Sequence, residues 1–414
     1  EKLSGDGLIS ALMPRGLIGN AANILSSKVS YDGLCPVKIK WKDRKVVEID
    51  CLSGDLDKKN QKILLPRLIE PHAHLDKAFT WANYPNFRGT YSGALEANLK
   101  EHLLRSPEKV NSRAEKAISL CIKNGLRAVR THIDGFGLVG SETWKIINAL
   151  RKKWKEYLEI QCVALVPLDY WSSSEGLLLA SKVAEDNGLF GGVLVPPFDK
   201  SKTKKNLLNL LKVANDYGCG IDLHIDESSS NHAAGLNVLM KVLEEFKSHH
   251  VPITCSHASS LGLINEKKIN EYANKLSDFG ISVVALPLTN SWLLGRQAGV
   301  TPTHRPIAPI RQLQNKGVNV AIGCDNVQDP WFPLGNFDPI SLMSISMPFT
   351  QLAPWERLGL SAFTTSSANV LGLKWDGLIE LDCPADFVVL EADSWSSALS
   401  TSPNRQNIIN GDYL

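Results

Sequence analysis

Apolar runs and helical patterns alternate along most of the chain from residue 66 onward. Eight runs, each six to eight residues long, are rich in β-branched and other apolar side chains. They lie at 68–74, 126–133, 160–166, 191–196, 220–225, 252–257, 281–287 and 318–324. Nearly continuous hydrophobicity is typical of parallel strands that are covered on both faces. The pattern therefore predicts an α/β fold in which eight parallel strands close into a (β/α)8 TIM barrel.

Several of the segments between these runs have the pattern of amphipathic helices. In the segment 204–217, Leu207, Leu211 and Ala214 lie on one face, and Gly218 follows as a stop. Comparable patterns, each ending close to the next apolar run, cover 113–124, 234–246 and 267–279. Helices are thus predicted to connect successive strands, as a barrel requires.

The two ends of the chain lack this alternation. Short apolar runs at 37–41, 46–49 and 387–390 are interrupted by Gly, Asp and Pro, which is typical of antiparallel strands. Because these segments flank the barrel in sequence, we predict a small β-sandwich domain built from residues 1–65 together with 370–414. The barrel would then occupy residues 66–369.

Composition and charge exclude several classes of protein. Hydrophobic residues make up 43% of the chain and charged residues 21%, and no run approaches the roughly 18 apolar residues of a membrane span. The net charge of +2, without a basic stripe, argues against a nucleic-acid partner. The eight cysteines show no CxxC spacing, and the first residues lack the order of a secretion signal. We expect a cytoplasmic protein that acts on a small molecule.

Histidine and aspartate side chains recur where the predicted strands end. His72 and His74 stand one residue apart, so both project from the same face of the first strand. The others end later strands or follow them: His132, His224, His257 and Asp325. Active sites of such barrels lie at the carboxyl ends of the strands. Imidazoles with one carboxylate suit Zn²⁺ or Fe²⁺ and leave a position for water.

The fourth strand favours one metal ion over two. Some barrel hydrolases bridge two metals with a modified lysine near that strand, whereas residues 191–197 contain no Lys, Glu or Asp. Glu227 lies three residues after His224, where it can leave the strand and reach a substrate without binding the metal. It is the predicted proton shuttle.

Six segments together resemble the metal-dependent amidohydrolase superfamily, and within it the bacterial cytosine deaminase group. They are EPHAHLDK (70–77), VRTHID (129–134), IDLHIDE (221–227), SHASS (256–260), PLTNSWLLGR (287–296) and CDNVQDPWFPLG (324–335). The resemblance covers most of the barrel. The metal ligands that it implies are His72, His74, His224 and Asp325. It further implies that Glu227 is the acid/base group and that His257 and Asp325 orient the attacking water and accept its proton.

The residues expected to recognise the substrate depart from that group. Bacterial cytosine deaminase has a glutamine after the proline that closes strand three, whereas here Pro167 is followed by Leu168 and Asp169. Asn326 also replaces an aspartate, while Trp331 matches and is expected to form an apolar wall. A carboxylate at 169 would favour a substrate with additional N–H donors or positive charge. The sequence thus supports deamination as the reaction more strongly than it supports cytosine as the substrate.

Two other features of these segments concern the surroundings of the metal. His132 is expected either to line the pocket or to hydrogen-bond a neighbouring strand end. Asp76 and Lys77 are expected to form an ion pair beneath the site.

The leading hypothesis is a metal-dependent hydrolytic deaminase of a cytosine-like amino-substituted nitrogen heterocycle. A metal-activated water would attack the amino-bearing ring carbon, and ammonia would leave. Alternatives are a creatinine or N-alkyl aminotriazine aminohydrolase, a cyclic amide hydrolase, and a non-catalytic binding barrel. The last would be expected to have lost a ligand or Glu227, and none is lost. The implied cofactor is one Zn²⁺ or Fe²⁺, and a homo-oligomer is expected by analogy with related enzymes.

Overall fold

Strands and helices alternate through most of the chain in the computed structural model, which describes residues 5–19, 24, 27–247 and 249–414. The strands are β1 (Gly7–Pro14), β2 (Leu34–Lys42), β3 (Lys45–Cys51), β4 (Ile63–Pro66), β5 (Leu68–Ala73), β6 (Leu126–Asp134), β7 (Glu159–Leu165), β8 (Leu189–Leu194), β9 (Ile221–Ile225), β10 (Ile253–His257), β11 (Ser282–Ala285), β12 (Val320–Ile322), β13 (Phe387–Leu390), β14 (Arg405–Ile409) and β15 (Asp412–Tyr413). The α-helices are α1 (Tyr91–Leu103), α2 (Pro107–Lys123), α3 (Gly137–Trp154), α4 (Ser174–Glu185), α5 (Lys200–Tyr217), α6 (Ala234–Glu245), α7 (Glu266–Asp278), α8 (Pro287–Leu293), α9 (Ile310–Asn315), α10 (Pro339–Thr350), α11 (Thr365–Leu371) and α12 (Trp395–Thr401). In the described part of the chain, no helix has the length and apolar character needed to cross a membrane.

The predicted barrel is confirmed. Strands β5 to β12 form one eight-stranded sheet in which neighbours in sequence are neighbours in space. The pairs from β7 to β12 are parallel. A parallel bridge between Ala73 and Asp325 joins the first strand to the segment after the last one. All eight strands overlap the runs that the sequence predicts.

A buried carboxyl group links the two sides of this closing seam. Glu70 accepts hydrogen bonds from the backbone N–H of His72 at 3.0 Å and from that of Cys324 at 3.1 Å. The N–H of Asp325 donates to the carbonyl oxygen of His72 at 3.0 Å. Burial raises the pKa of Glu70 to about 8, although these N–H groups act to lower it. The seam therefore fixes the register between β5 and the segment that follows β12.

Strand β9 illustrates how the barrel sorts its side chains. Asp222 and His224 share one face and meet other polar groups, with Asp222 accepting a bond from Arg130 at 2.9 Å. Ile225 projects from the opposite face toward α6, where a Cβ on Gly235 would lie only 2.9 Å from the Ile225 side chain. The period of two along the strand thus places polar groups inside the barrel and apolar groups against the helices.

Strands from both ends of the chain form a separate, seven-stranded sheet. Its order is β15-β14-β13-β4-β1-β2-β3. Strands β1 and β2 pair antiparallel, and β13 pairs antiparallel with both β4 and β14. Where a β-sandwich is predicted, the described strands form this one continuous sheet, built from the two terminal segments. The chain divides into two compact units, one of residues 1–69, 120–128 and 338–414 and the other of residues 70–119 and 129–337.

A buried ion network follows β5. Arg105 is 8% exposed and its guanidinium bonds to Asp76 at 3.1 Å, to Asp134 at 3.2 Å and to Glu101. Lys77 donates to Asp134 at 2.8 Å. Asp76 thus pairs with Arg105, and Lys77 pairs with Asp134. The two residues do not pair directly with each other, contrary to the prediction from the sequence.

We expect Arg105→Met to lower the free energy of unfolding by about 3–5 kcal/mol, because it removes the buried cation that Asp76, Glu101 and Asp134 share. Urea unfolding measures this loss. The loss should shrink as the pH falls below about 4, the ordinary pKa of an aspartate in the unfolded chain, since the charges of Lys77 and Arg105 hold the pKa of Asp134 well below that value only while the network is intact.

The matched control is Arg88→Met. Arg88 pairs with Glu96 at 2.8 Å, but their side chains are 68% and 53% exposed, so the change should be much smaller. Equal destabilisation of both variants would contradict a special role for the buried network.

Candidate metal centre and active site

The six side chains predicted to bind metal or to catalyse the reaction converge at the carboxyl ends of the barrel strands. All of them are buried, with exposures between 0% and 6%. They come from β5 and the residue after it, from β9 and its following loop, from the end of β10, and from the segment after β12: His72, His74, His224, Glu227, His257 and Asp325.

Hydrogen bonds on the outer ring nitrogens fix the tautomers of the first two histidines. Nδ1 of His74 lies 3.1 Å from the carbonyl oxygen of His132, so this nitrogen carries the proton. Nδ1 of His72 lies 2.8 Å from Oγ of Ser256, whose hydroxyl donates to Asp222 at 2.7 Å. Ser256 therefore accepts from His72. In both rings the lone pair is left on Nε2.

These lone pairs face one another and a carboxylate. Nε2 of His72 and of His74 lie 3.4 Å and 3.2 Å from Oδ1 of Asp325. Nε2 of His224 lies 3.4 Å from that of His74, and burial lowers the pKa of His224 well below its ordinary value, so its ring is neutral. Converging acceptors without a proton between them repel unless a cation binds them. The donor set therefore fits a divalent ion such as Zn²⁺ or Fe²⁺.

The backbone is strained at two of these strand ends. His257 and Asp325 have φ values of 72° and 62°, in the left-handed region that residues with a side chain rarely adopt. Such outliers persist when the surrounding structure holds them, and they cluster at functional sites. Here they turn both side chains toward the centre of the barrel mouth.

Glu227 and His257 lie beside the ligand set. Nδ1 of His257 is 3.0 Å from the Asn290 side-chain amide and 3.7 Å from Oε1 of Glu227. Burial, with the charge of Asp325 adding to it, raises the pKa of Glu227 well above its ordinary value. Burial lowers the pKa of His257 to about 3. Burial thus favours the uncharged form of both groups, the carboxylic acid of Glu227 and the neutral imidazole of His257.

His132 lies beneath the metal ligands and is fully buried. Its ring stacks on that of His72, with centroids 3.8 Å apart, and its Nε2 is 3.7 Å from Asp222. Its carbonyl oxygen orients His74. It is not among the residues that line the cavity above the site. The ring nitrogens of His132 have no hydrogen-bond partner among the described residues, so the predicted hydrogen bond to a neighbouring strand end is made by its backbone carbonyl and not by its imidazole.

A cavity that is open to solvent lies above the ligand set. Its floor and walls are formed by His74, Lys77, Tyr91, Leu95, Asn98, Leu99, Asp134, Phe136, Leu165, Pro167, His224, Glu227, His257, Asp325, Asn326 and Trp331. The ionisable and metal-binding groups lie at one end, and much of the remaining wall is aromatic or aliphatic. The cavity thus has a polar, metal-binding end and a largely apolar wall, as small-molecule sites commonly do.

Of the residues predicted to contact substrate, Asn326 and Trp331 line this cavity. Leu168 and Asp169 do not, which corrects their predicted placement. The chain turns after Pro167 into a short 3-10 helix over Leu168–Ser172. Leu168 is therefore buried next to Gly192, and the half-exposed carboxylate of Asp169 pairs with Lys202 at 3.0 Å.

Helix α1 forms part of the cavity wall, which was not predicted from the sequence. The side chains that face the cavity share one side of the helix: Tyr91, Leu95, Asn98 and Leu99. Because they border open space, Leu95 and Leu99 each remain 43% exposed. A helix that turns its apolar side toward a cavity has no continuous stripe against the core. The start of this helix did have a signal in the sequence, because threonine is a favoured N-cap residue. In the structure Thr90 takes that role and accepts a hydrogen bond from the N–H of Gly93.

Comparison with known proteins decides the family. A family model described as the amidohydrolase family matches residues 147–405. The chain belongs to this family. It is 30% identical over 339 residues to a pterin deaminase of Rhizobium rhizogenes (strain K84 / ATCC BAA-868), an alignment that covers 81% of this chain and 76% of the other. The resemblance noted from the sequence is thereby confirmed, and the protein is a hydrolase.

Two further proteins match this chain over most of their length, one in sequence and one in structure. An N-isopropylammelide isopropyl amidohydrolase of Pseudomonas sp. (strain ADP) is 26% identical over 369 residues, covering 86% of this chain and 87% of the other. The crystal structure of 5-methylcytosine deaminase from Klebsiella pneumoniae, liganded with 5-fluorocytosine, matches with a TM-score of 0.83 at 22% identity. That match covers 99% of this chain and 97% of the other, and it shows a shared fold.

We expect the amidohydrolase to bind one Zn²⁺ or Fe²⁺ per chain, and Asp325→Ala to weaken binding by more than the roughly 10–100-fold that loss of a supporting residue costs. The substitution removes a carboxylate ligand from the converging set. Metal content after dialysis, measured by mass spectrometry, gives the result. Asp169→Ala is the control, because it removes a carboxylate outside the cavity. Equal metal content in the two variants, or two ions per chain, would contradict this assignment.

Proposed function

We propose that this amidohydrolase is a metal-dependent hydrolytic deaminase, which replaces the amino group of a nitrogen heterocycle with oxygen and releases ammonia. The observation that carries the proposal is the position of Glu227. It is buried, burial raises its pKa well above the ordinary value, and it lies 3.7 Å from His257 at the end of the cavity where the metal-type ligands converge. A carboxylic acid held in this state can donate a proton to a ring nitrogen.

Asp325, His257 and Glu227 have different roles in the proposed reaction. A bound Zn²⁺ or Fe²⁺ would lower the pKa of a water molecule and so supply a nucleophile near neutral pH. Asp325 would accept the proton of that water, and the neutral ring of His257 would orient it. Glu227 protonates the ring nitrogen beside the attacked carbon, which prevents negative charge from accumulating on the ring. Transfer of a proton to the exocyclic nitrogen then releases ammonia.

The relatives support this chemistry. Pterin deaminase, at 30% identity, and 5-methylcytosine deaminase, the structural match, are both named for deamination of a heterocycle. The cavity is consistent with a substrate that differs from cytosine, because Leu168 turns away from it and leaves Pro167 at the wall.

A second candidate function is release of an alkylamine from an aminotriazine. The observation that favours it is the 26% identity to N-isopropylammelide isopropyl amidohydrolase over 86% of this chain. The same residues would act, and the leaving group would be an amine in place of ammonia. Detection of the released base distinguishes the two candidates.

The test is release of ammonia or alkylamine by the metal-loaded protein from cytosine, 5-methylcytosine, isocytosine, isoguanine, pterin, creatinine and aminotriazines. We expect Glu227→Gln to lower kcat by about 10²–10⁴, since a positioned general acid contributes a factor of that size, while metal content stays unchanged. Asp169→Ala should retain full activity. A metal-loaded protein that releases neither product, or a Glu227→Gln variant of undiminished kcat, would refute the proposal.

A further inference from the structure

One carboxylate orients two polar side chains on the cavity wall. Lys77 donates to Oδ1 of Asp134 at 2.8 Å, and the Asn98 side-chain amide donates to Oδ2 at 3.3 Å. Both side chains are buried, at 3% and 5% exposure, and both line the cavity. The two residues come from the segment after β5 and from α1, so the pair arises only in the folded chain.

The orientation of Asn98 follows from its partner. Burial would raise the pKa of Asp134, but the charges of Lys77 and Arg105 outweigh burial and hold that pKa well below its ordinary value. An ionised carboxylate only accepts, so the NH₂ group of Asn98 must face it. The amide oxygen of Asn98 then points away from Asp134, and it has no hydrogen-bond partner among the residues that the structure describes. A buried acceptor without a partner, on the wall of an active-site cavity, points to a ligand that donates.

Lys77 provides the complementary donor. Burial would lower the pKa of its ammonium group, but the charges of Asp134 and Asp76 hold that pKa above its ordinary value. The group therefore carries three N–H bonds, of which Asp134 accepts one. Lys77 lines the same cavity as Glu227.

We infer that Asn98 and Lys77 together recognise a lactam edge of the substrate, with Asn98 accepting from the ring N–H and Lys77 donating to the adjacent ring carbonyl. The inference rests on the proposed function and names its substrate class, which is amino-substituted heterocycles that also carry a ring lactam. Because both side chains bond to the same carboxylate, donor and acceptor stand side by side, as the two groups of a cis amide do.

Desolvation makes this pair selective. A ring that fills the cavity without an N–H leaves the Asn98 oxygen buried and unpaired, and a site built to bond a polar group rejects the analogue that lacks it. Arg105, behind Asp134 at 3.2 Å, prevents the carboxylate from turning to relieve the mismatch. Discrimination should therefore be large for an edge of the substrate that takes no part in the chemistry.

The test compares two pairs of rings that differ in the lactam, isocytosine with 2-aminopyrimidine and cytosine with 4-aminopyrimidine. Calorimetry on metal-loaded Glu227→Gln measures binding without turnover. We expect the lactam member of at least one pair to bind about 5–150-fold more tightly, and Asn98→Leu in the same background to reduce this ratio to within about threefold of one. Asn148→Leu is the matched control, since Asn148 is also buried in a helix but bonds to the Trp144 carbonyl away from the cavity.

The outcomes separate the two claims. Equal binding within both pairs, or a lactam preference that survives Asn98→Leu, overturns the inference. If Asn98→Leu weakens all four rings equally, Asn98 has a structural role and the inference also fails. Release of no ammonia or amine by the wild-type protein, despite a lactam preference in binding, refutes the proposed function and leaves the recognition pair standing.

Discussion

Closure of the barrel between β5 and the segment after β12 is the constraint on which the site depends. The Asp325 N–H bonds to the His72 carbonyl at 3.0 Å, and Glu70 accepts N–H groups from both sides of the seam. This closure places the lone pairs of His72 and His74 within 3.4 Å of the Asp325 carboxylate. Groups that repel one another are thus assembled by the fold, and the free energy of folding is what prepares the site for a cation.

Buried charge networks support this assembly on two sides. Below the ligands, Arg130 bonds to Asp222, which accepts from Ser256, which in turn orients His72. Such supporting groups fix the tautomer and raise the basicity of a metal ligand. Beside the ligands, Arg105 compensates Asp134, and Asp134 orients the side chains of the cavity wall. In each case a buried arginine bonds to a carboxylate, and that carboxylate orients a side chain at the site.

The barrel and the metal-type ligands were predictable because each has a strong local signal. Parallel strands covered on both faces are continuous apolar runs, and the ligands stand where those runs end, as His224 and His257 do. The cavity wall was harder to predict from the sequence. Leu168 and Asp169 follow a strand end as well, but a 3-10 turn directs them away from the cavity, and sequence spacing carries no information about that turn. Helix α1 was missed because Leu95 and Leu99 face the cavity and stay partly exposed.

The position of a bound metal ion is the most direct test of this site. Anomalous diffraction at the zinc absorption edge, from crystals of the zinc-loaded protein, would locate it. We predict one peak per chain within bonding distance of Nε2 of His72, His74 and His224 and of the Asp325 carboxylate. A single peak elsewhere in the chain, or a second peak in the barrel mouth, would contradict the account of the site.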